Sequence, residues 1–297
     1  MYLGIEIGGT KLQLALGLGD GHLLQLWRGT VDVAAGGDGI RQQILKAVPE
    51  LLASANVDRS QLRAVGIGFG GPTDDTTQTI IKSHQIHGWD GFPLSSWIND
   101  SFKLPAVLGN DADVAGLAEA THGAGEGLSP IFYMTIGSGI GGGLIIDGKI
   151  YRGVGRGAAE IGHLQIANPR TGEIAPLEKL ASGWAIGARS KRDVSGQMVG
   201  ELAAKGEVWA VELIDETCDF LAHALCQVIV LLCPKRIVIG GGVSLMGEEL
   251  LFAPLRRKVN ERVFPPFAGL TDIVPASLGE EVVLHGAVVL ARQSFPA

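Results

Sequence analysis

The chain has 297 residues, of which 46% are hydrophobic, so it is long enough and apolar enough to build two lobes of ordinary domain size. Its formal net charge of −7 and the lack of any long Lys/Arg run exclude a sequence-independent nucleic-acid surface. The longest apolar run, residues 228–233, is too short to span a bilayer, and no basic segment precedes an apolar stretch at the start, so we expect a cytoplasmic protein.

The first third of the chain predicts alternating strands and helices. The apolar patterns predict strands at residues 2–7, 11–16, 23–30, 64–69 and 106–108. Amphipathic patterns predict helices at residues 40–55, 93–102 and 111–121.

The second half repeats this scheme around a glycine-rich stretch at residues 153–187. Strands are predicted at residues 131–136, 142–146 and 236–239, and helices at residues 207–232, 246–263 and 280–293. Because no linker or low-complexity segment divides the chain, we place the boundary between the two halves near residues 110–112.

A glycine-tipped turn joins the first two strands of each half. Gly8, Gly9 and Thr10 precede Lys11 in the first, and Gly137, Ser138 and Gly139 form the second. Glycines let backbone N–H groups approach an anion, and the adjacent hydroxyl and ammonium groups add donors. One such turn is weak evidence, but the pair predicts a polyphosphate site. Neither turn opens a helix, which excludes a P-loop and a dinucleotide-binding turn.

The three cysteines fall in one predicted helix. Cys218, Cys226 and Cys233 are spaced by 8 and 7 residues, which places them on one helix face. We expect them to be reduced and buried in a core.

Several polar residues are candidates for catalysis or ligand binding. Asp111 follows a predicted strand and starts a helix, where the helix dipole keeps a carboxylate ionised and able to act as a general base. The alternative is an aspartate that only caps the helix. Glu160, His163 and Glu178 lie in a segment rich in Gly and Ala, and their side chains suit sugar hydroxyls better than a metal. His163 by itself would more often be a surface or core histidine than a ligand.

Five motifs, in order, resemble those of the ROK family of bacterial sugar kinases and repressors. They are residues 6–11 (EIGGTK), 109–113 (GNDAD), 136–143 (IGSGIGGG), 159–163 (AEIGH) and 239–242 (IGGG). The resemblance covers nearly the whole chain. It implies an α/β fold of the two-lobed, actin-like, hexokinase-type ATPase class, with duplicated ribonuclease H-like domains and a central cleft. It also implies that the last helix packs on the first lobe, giving lobes of residues 1–111 plus about 280–297, and 112–279.

The resemblance also implies roles for particular residues. Asp111 is the catalytic base, and the sugar contacts are Gly71, Asn110, Asp111, Glu160, His163 and Glu178. ATP is held by Gly8, Gly9, Thr10, Lys11, Gly137, Ser138, Gly139, Gly240, Gly241 and Gly242. For the last three, a turn or helix cap is the alternative. Glu6 replaces the aspartate of most relatives and is expected to orient Mg²⁺ through water; an exposed strand glutamate is the alternative.

The chain departs from the family between His163 and Glu178. Many relatives carry there a cysteine cluster that binds a structural zinc with the histidine, whereas residues 164–177 of this chain contain no cysteine. Because one histidine cannot replace thiolate ligands, we expect no zinc.

We therefore expect an ATP- and Mg²⁺-dependent kinase that phosphorylates a hexose hydroxyl, most simply the 6-hydroxyl of glucose or a related sugar. A catalytically inactive sugar-binding protein and a kinase that uses polyphosphate are the alternatives. A family repressor would need a DNA-reading helix-turn-helix before the first strand, and Tyr2 already begins that strand. The expected partners are a small sugar and a second copy of the chain, with neither nucleic acid nor membrane.

Overall fold

A computed structural model describes residues 1–83, 85–168 and 171–296. The chain folds into two compact units: unit 1 comprises Met1–Glu126, Gly148–Ala158 and Leu278–Ala297, and unit 2 comprises Gly127–Asp147 and Ala159–Ser277. Four residues lie outside the description: His84 and Ala297, which belong to the expected first lobe, and Pro169 and Arg170, which belong to the cysteine-free segment.

The elements alternate along the chain as an α/β protein. The strands are β1 Tyr2–Ile7, β2 Lys11–Gly17, β3 Leu23–Thr30, β4 Ala64–Phe69, β5 Thr73–Asp74, β6 Thr79–Ile80, β7 Ala106–Asn110, β8 Ile131–Ile136, β9 Ile140–Ile146, β10 Lys149–Ile150, β11 Gln165–Ala167, β12 Ile174–Pro176, β13 Arg236–Gly240 and β14 Asp272–Pro275. The α-helices are α1 Gly36–Ser54, α2 Leu94–Phe102, α3 Asp111–His122, α4 Leu177–Ala181, α5 Gly183–Arg189, α6 Gly196–Ala204, α7 Val208–Leu232, α8 Ala253–Arg262 and α9 Val282–Ser294.

The sheet of unit 1 has the strand order β3-β2-β1-β4-β7. β1 pairs antiparallel with β2 and parallel with β4, which in turn pairs parallel with β7. Every residue of β1 and β4 is buried, because helices cover a sheet that contains parallel strands. The terminal helix α9 packs on β1, β4 and α3.

The sheet of unit 2 contains β9-β8-β13-β14 in that order. β8 pairs antiparallel with β9 and parallel with β13, which pairs parallel with β14. Its core brings side chains of β8 and β13 together with those of α7 and α8. Each unit thus contains a hairpin joined to parallel strands, which confirms the duplicated α/β fold that the two glycine-tipped turns predicted.

Several predicted bounds differ from the structure. α3 belongs to unit 1, whereas we expected the boundary between the two halves near its first residues. α1 begins four residues before the predicted start, at Gly36. α4 and α5 lie in the stretch that was described only as glycine-rich.

The predicted helix at residues 246–263 is wrong in its first part. A 3-10 helix at Gly242–Met246 and a π-helical turn at Glu248–Phe252 precede α8. Gly247, at φ +79°, interrupts them because a left-handed residue cannot continue a right-handed helix.

Within the described residues, we find no helix that is both long and apolar enough to cross a membrane.

Candidate functional site

The parallel strands of unit 1 end at the same edge of their sheet. Ile7 lies opposite Phe69 in the register of β1 and β4, and Phe69 lies opposite Asn110 in that of β4 and β7. The glycine turn after β1, residues 70–71 after β4 and the start of α3 are therefore neighbours. Ligands of α/β proteins bind at such carboxyl edges.

Asn110 and Asp111 connect this edge to α3. Asn110 is the N-cap of α3: its Oδ1 accepts a hydrogen bond from the amide of Ala112 at 2.9 Å, and its Nδ2 donates to the carbonyl of Gly71 at 3.0 Å. Asp111 is the first helical residue. Its Oδ2 lies 3.5 Å from the position that a Cβ on Gly70 would take. The N-cap is therefore Asn110 and not Asp111, and glycine at 70 leaves room beside the Asp111 carboxylate.

Glu6 is buried under the first glycine turn and is not the exposed strand residue considered as an alternative. Its Oε1 pairs with the Lys11 ammonium at 3.2 Å, and its Oε2 accepts a hydrogen bond from Gln13 Nε2 at 3.0 Å. Burial raises the pKa of Glu6, and the nearby Lys11 charge partly opposes this shift. Carboxylate oxygens have further lone pairs, so this arrangement fits a water-mediated contact with Mg²⁺ but not a direct ligand set.

We expect Glu6→Gln to stabilise the protein at neutral pH while lowering its activity. A carboxyl whose folded pKa lies above 4.5 keeps its proton longer than in the unfolded chain, so its ionisation lowers the free energy of unfolding as pH rises above that value. Gln cannot ionise, and losing the pair with half-exposed Lys11 costs little. Thermal unfolding should show a Tm gain at neutral pH that disappears in acid.

Activity of the same variant should fall about tenfold, which is the scale for residues that act on a metal through an outer contact. A lower Tm at every pH would contradict the destabilising role of the ionised carboxylate.

Unit 2 repeats the edge arrangement. Thr135 of β8 lies opposite Gly240 of β13, so the second glycine turn and residues 241–242 follow parallel strands at the same edge. A cavity of about 680 Å³ opens there, with Gly137, Ser138 and Gly242 in its lining. Gly139 does not line it, and neither do Gly240 and Gly241, which are packed against Tyr133 and the backbone of Ile136.

Glu178 is bound to the second glycine turn. Its Oε2 accepts a hydrogen bond from the amide of Ile140 at 2.9 Å. A Cβ on Gly139 would lie 2.5 Å from the same oxygen, so only glycine accommodates this contact. Glu178 thus stabilises the second glycine turn through Oε2, and Oε1 remains for a further contact.

Glu160 and His163 come to the same place through a 3-10 turn at Ile161–His163. A Cβ on Gly162 would lie 2.2 Å from the carbonyl oxygen of Ile140, so the turn packs directly on β9. Both side chains are exposed. Gly162, between Glu160 and His163, and the carboxylate of Glu178 therefore both contact Ile140, which follows the second glycine turn.

The cysteine-free segment forms a short antiparallel pair, β11 and β12, in its described part. Among the residues that the structure describes, no group of three or more His, Cys, Asp or Glu side chains is placed to hold a metal ion.

The three cysteines do not share one environment. Cys218 is buried, and burial raises its thiol pKa to about 12, whereas Cys226 is half-buried. Cys233 is exposed, which corrects the prediction of a third buried thiol. The reason is that α7 ends at Leu232, and Cys233 takes a left-handed conformation as its C-cap.

Sequence reasoning missed residues that the fold brings to both edges. Gln85 lies against Gly9, where a Cβ would be 1.4 Å from its Oε1. Trp184, Gln197 and Leu245 line the cavity of unit 2. Two Ser-Gly pairs could have located Trp184 and Gln197. Ser182 and Ser195 are the N-caps of α5 and α6, and a serine before a helical pattern predicts a helix start.

These two edges, each with a glycine turn beside parallel strands, are typical of α/β proteins that bind phosphate groups. The chain belongs to the ROK family, whose model matches residues 2–294.

Individual proteins of known sequence or structure resemble this chain along almost its entire length. It is 30% identical to a glucokinase of Halalkalibacterium halodurans, over 98% of this chain and 95% of that protein. It is 28% identical to a glucokinase of Thermotoga maritima, over 98% of this chain and 97% of that protein. The crystal structure of a ROK family glucokinase from Streptomyces griseus, in complex with glucose and AMPPNP, superposes with a TM-score of 0.83 at 29% identity, covering 98% of this chain and 99% of that one.

Proposed function

We propose that the protein transfers the γ-phosphoryl group of ATP to a hexose hydroxyl, the 6-hydroxyl of glucose or of a related sugar. The protein is a glucokinase-like sugar kinase, as the glucokinases among its relatives support. The observation that carries the assignment to particular residues is the position of Asp111, beside Gly70 at the edge where the first glycine turn also lies.

Asp111 accepts the proton of the attacking hydroxyl. Asn110, the residue before the base, is held by both polar atoms of its side chain. Its Nδ2 donates to the Gly71 carbonyl, and its Oδ1 caps α3 by accepting from the Ala112 amide. The sugar oxygen then attacks the γ-phosphorus, ADP leaves, and the proton stays on the Asp111 carboxylate. Most of the rate comes from this positioning and from neutralising phosphate charge.

The sugar hydroxyls are bound by Glu160, His163 and Glu178, whose carboxylates and imidazole accept and donate in pairs. Because the turn of Glu160 and His163 packs on Ile140 and Glu178 bonds its amide, these three side chains are oriented by one strand end. Gly71 and Asn110 are assigned to the sugar as well.

The phosphates are held by the two glycine turns. Gly8, Gly9 and Thr10 with Lys11 form one set of donors, and Gly137, Ser138 and Gly139 form the other. The adenosine end lies toward residues 240–242, of which Gly242 lines the cavity. Mg²⁺, when bound, would neutralise charge on the phosphates, and Glu6 is the residue that would orient it through water.

A coupled assay for ADP release over a panel of hexoses and N-acetylhexosamines tests this proposal. We expect ADP only when sugar is present, and no turnover with 6-deoxyglucose, which lacks the accepting hydroxyl. ATP hydrolysis that ignores sugar would contradict the proposal. Sugar binding without turnover would identify an inactive sugar-binding protein, and turnover with polyphosphate but not ATP would identify the other donor.

A further inference from the structure

Two large apolar side chains at the unit 2 cavity face solvent. Trp184 is 73% exposed and Leu245 is 85% exposed, and both line the cavity of about 680 Å³ beside Ser138 and Gly242. Single exposed apolar residues are common on protein surfaces, but two on the lining of one concave site favour a ligand with an apolar part that covers them.

The backbone holds Trp184 close to the second glycine turn. The amide of Gly183 donates to the carbonyl of Gly137 at 2.8 Å, and a Cβ on Gly183 would lie 2.8 Å from that same oxygen. Ser182 caps α5 by accepting a hydrogen bond from the amide of Ala185. Trp184 therefore follows directly after a residue that is hydrogen-bonded to the glycine turn that we assign to phosphate.

The polar part of the cavity lining presents hydrogen-bond acceptors. Gln197 and Glu201, on successive turns of α6, both line the cavity, and Gln197 Nε2 donates to Glu201 Oε1 at 3.0 Å. This bond uses one of the two Gln197 Nε2 hydrogens, and the acceptors that remain are Gln197 Oε1 and the charged Glu201 Oε2, against one remaining Gln197 N–H donor. A ligand edge that carries an amino group matches them, whereas a carbonyl oxygen would meet a carboxylate.

We propose that Trp184 is the stacking surface for the purine of the nucleotide, and that Glu201 with Gln197 selects adenine over guanine through the 6-amino group. This inference rests on the proposed use of ATP and assigns its base specificity. Adenine offers a π-face to the indole and an amino donor to the two acceptors, and guanine and hypoxanthine place a 6-oxo group there instead. Leu245 covers the apolar remainder of the base.

Nucleotide binding to variants tests the assignment, with calorimetric titration of AMPPNP and of the corresponding GTP analogue alongside steady-state kinetics. Trp184→Ala should weaken AMPPNP binding and raise the KM for ATP about tenfold or more, the scale of losing one base–aromatic stack. Trp184→Phe should recover most of the affinity. The KM for the sugar should not change. Leu231→Ala, which truncates a 75% exposed side chain on α7 outside the cavity lining, is the matched control.

Base selectivity gives a readout that a structural role would not change. Glu201→Gln offers an amide that can donate to a 6-oxo group, so the preference for ATP over GTP and ITP should shrink about tenfold. Unaltered AMPPNP affinity in Trp184→Ala, or unaltered selectivity in Glu201→Gln, would overturn this inference. Sugar-dependent turnover by the wild type would still support the proposed kinase activity in that case. A wild type that binds neither nucleotide analogue would overturn both.

Discussion

Asp111→Asn is expected to lower kcat by about 10²-fold or more while the sugar still binds. Asn keeps the shape of the side chain and its place at the first position of α3, but it cannot accept the hydroxyl proton. Asn110 caps α3 through the amide of Ala112, so the helix start does not depend on a charge at residue 111. Steady-state kinetics with the best sugar, and calorimetric titration of that sugar, measure the two effects.

The control for this experiment is Asp58→Asn. Asp58 is an exposed aspartate of unit 1 at the start of the 3-10 helix Arg59–Gln61, so the same substitution is made at a helix start away from the site. Turnover of the control should match the wild type. If Asp111→Asn turned over at a near-normal rate, Asp111 would be a helix-terminal residue and not the base.

Gly286→Ala is expected to destabilise unit 1 strongly. In an exposed helix this change would add about 1 kcal/mol of stability, because alanine is the better helix former. In α9 a Cβ on Gly286 would lie 1.8 Å from the carbonyl oxygen of Val114 in α3, a backbone atom that cannot turn away. A clash with a backbone atom lies at the upper end of the roughly 1–3 kcal/mol that overpacking costs, so about 2 kcal/mol of destabilisation remains after the propensity gain and Tm should fall by about 4–8 °C.

Gly200→Ala is the matched control, since Gly200 is also inside a helix. There a Cβ would meet the flexible end of Met246 at 3.0 Å, which can move. Its Tm should stay level or rise slightly. A rise in Tm for Gly286→Ala in thermal or denaturant unfolding would show that α3 and α9 separate easily and that their close packing contributes little.

The amino-acid sequence by itself predicted most of the regular elements and the two edges. β1, β3, β4 and β8 have the predicted bounds, because β1, β4 and β8 are mostly apolar runs, β3 mixes apolar with polar residues, and turn residues flank them. Local signals of this kind also predicted the duplicated fold and the start of α3 at Asp111. The split at Gly247 was not predicted, since a single glycine is tolerated in a helix pattern and its left-handed φ is visible only in the structure.

Only the tertiary structure decided how the site residues are paired. The burial of Glu6, the bond from the Ile140 amide to Glu178 and the packing of Gly162 on Ile140 join positions up to 38 residues apart. No periodicity records such contacts, because each depends on which strand lies next to which and on how closely two backbones approach. The cavity of unit 2 has the same origin. Gly137 after β8, Gly183 of α5 and Gly196 of α6 meet only after the sheet and helices pack, and Trp184, next to Gly183, is left exposed.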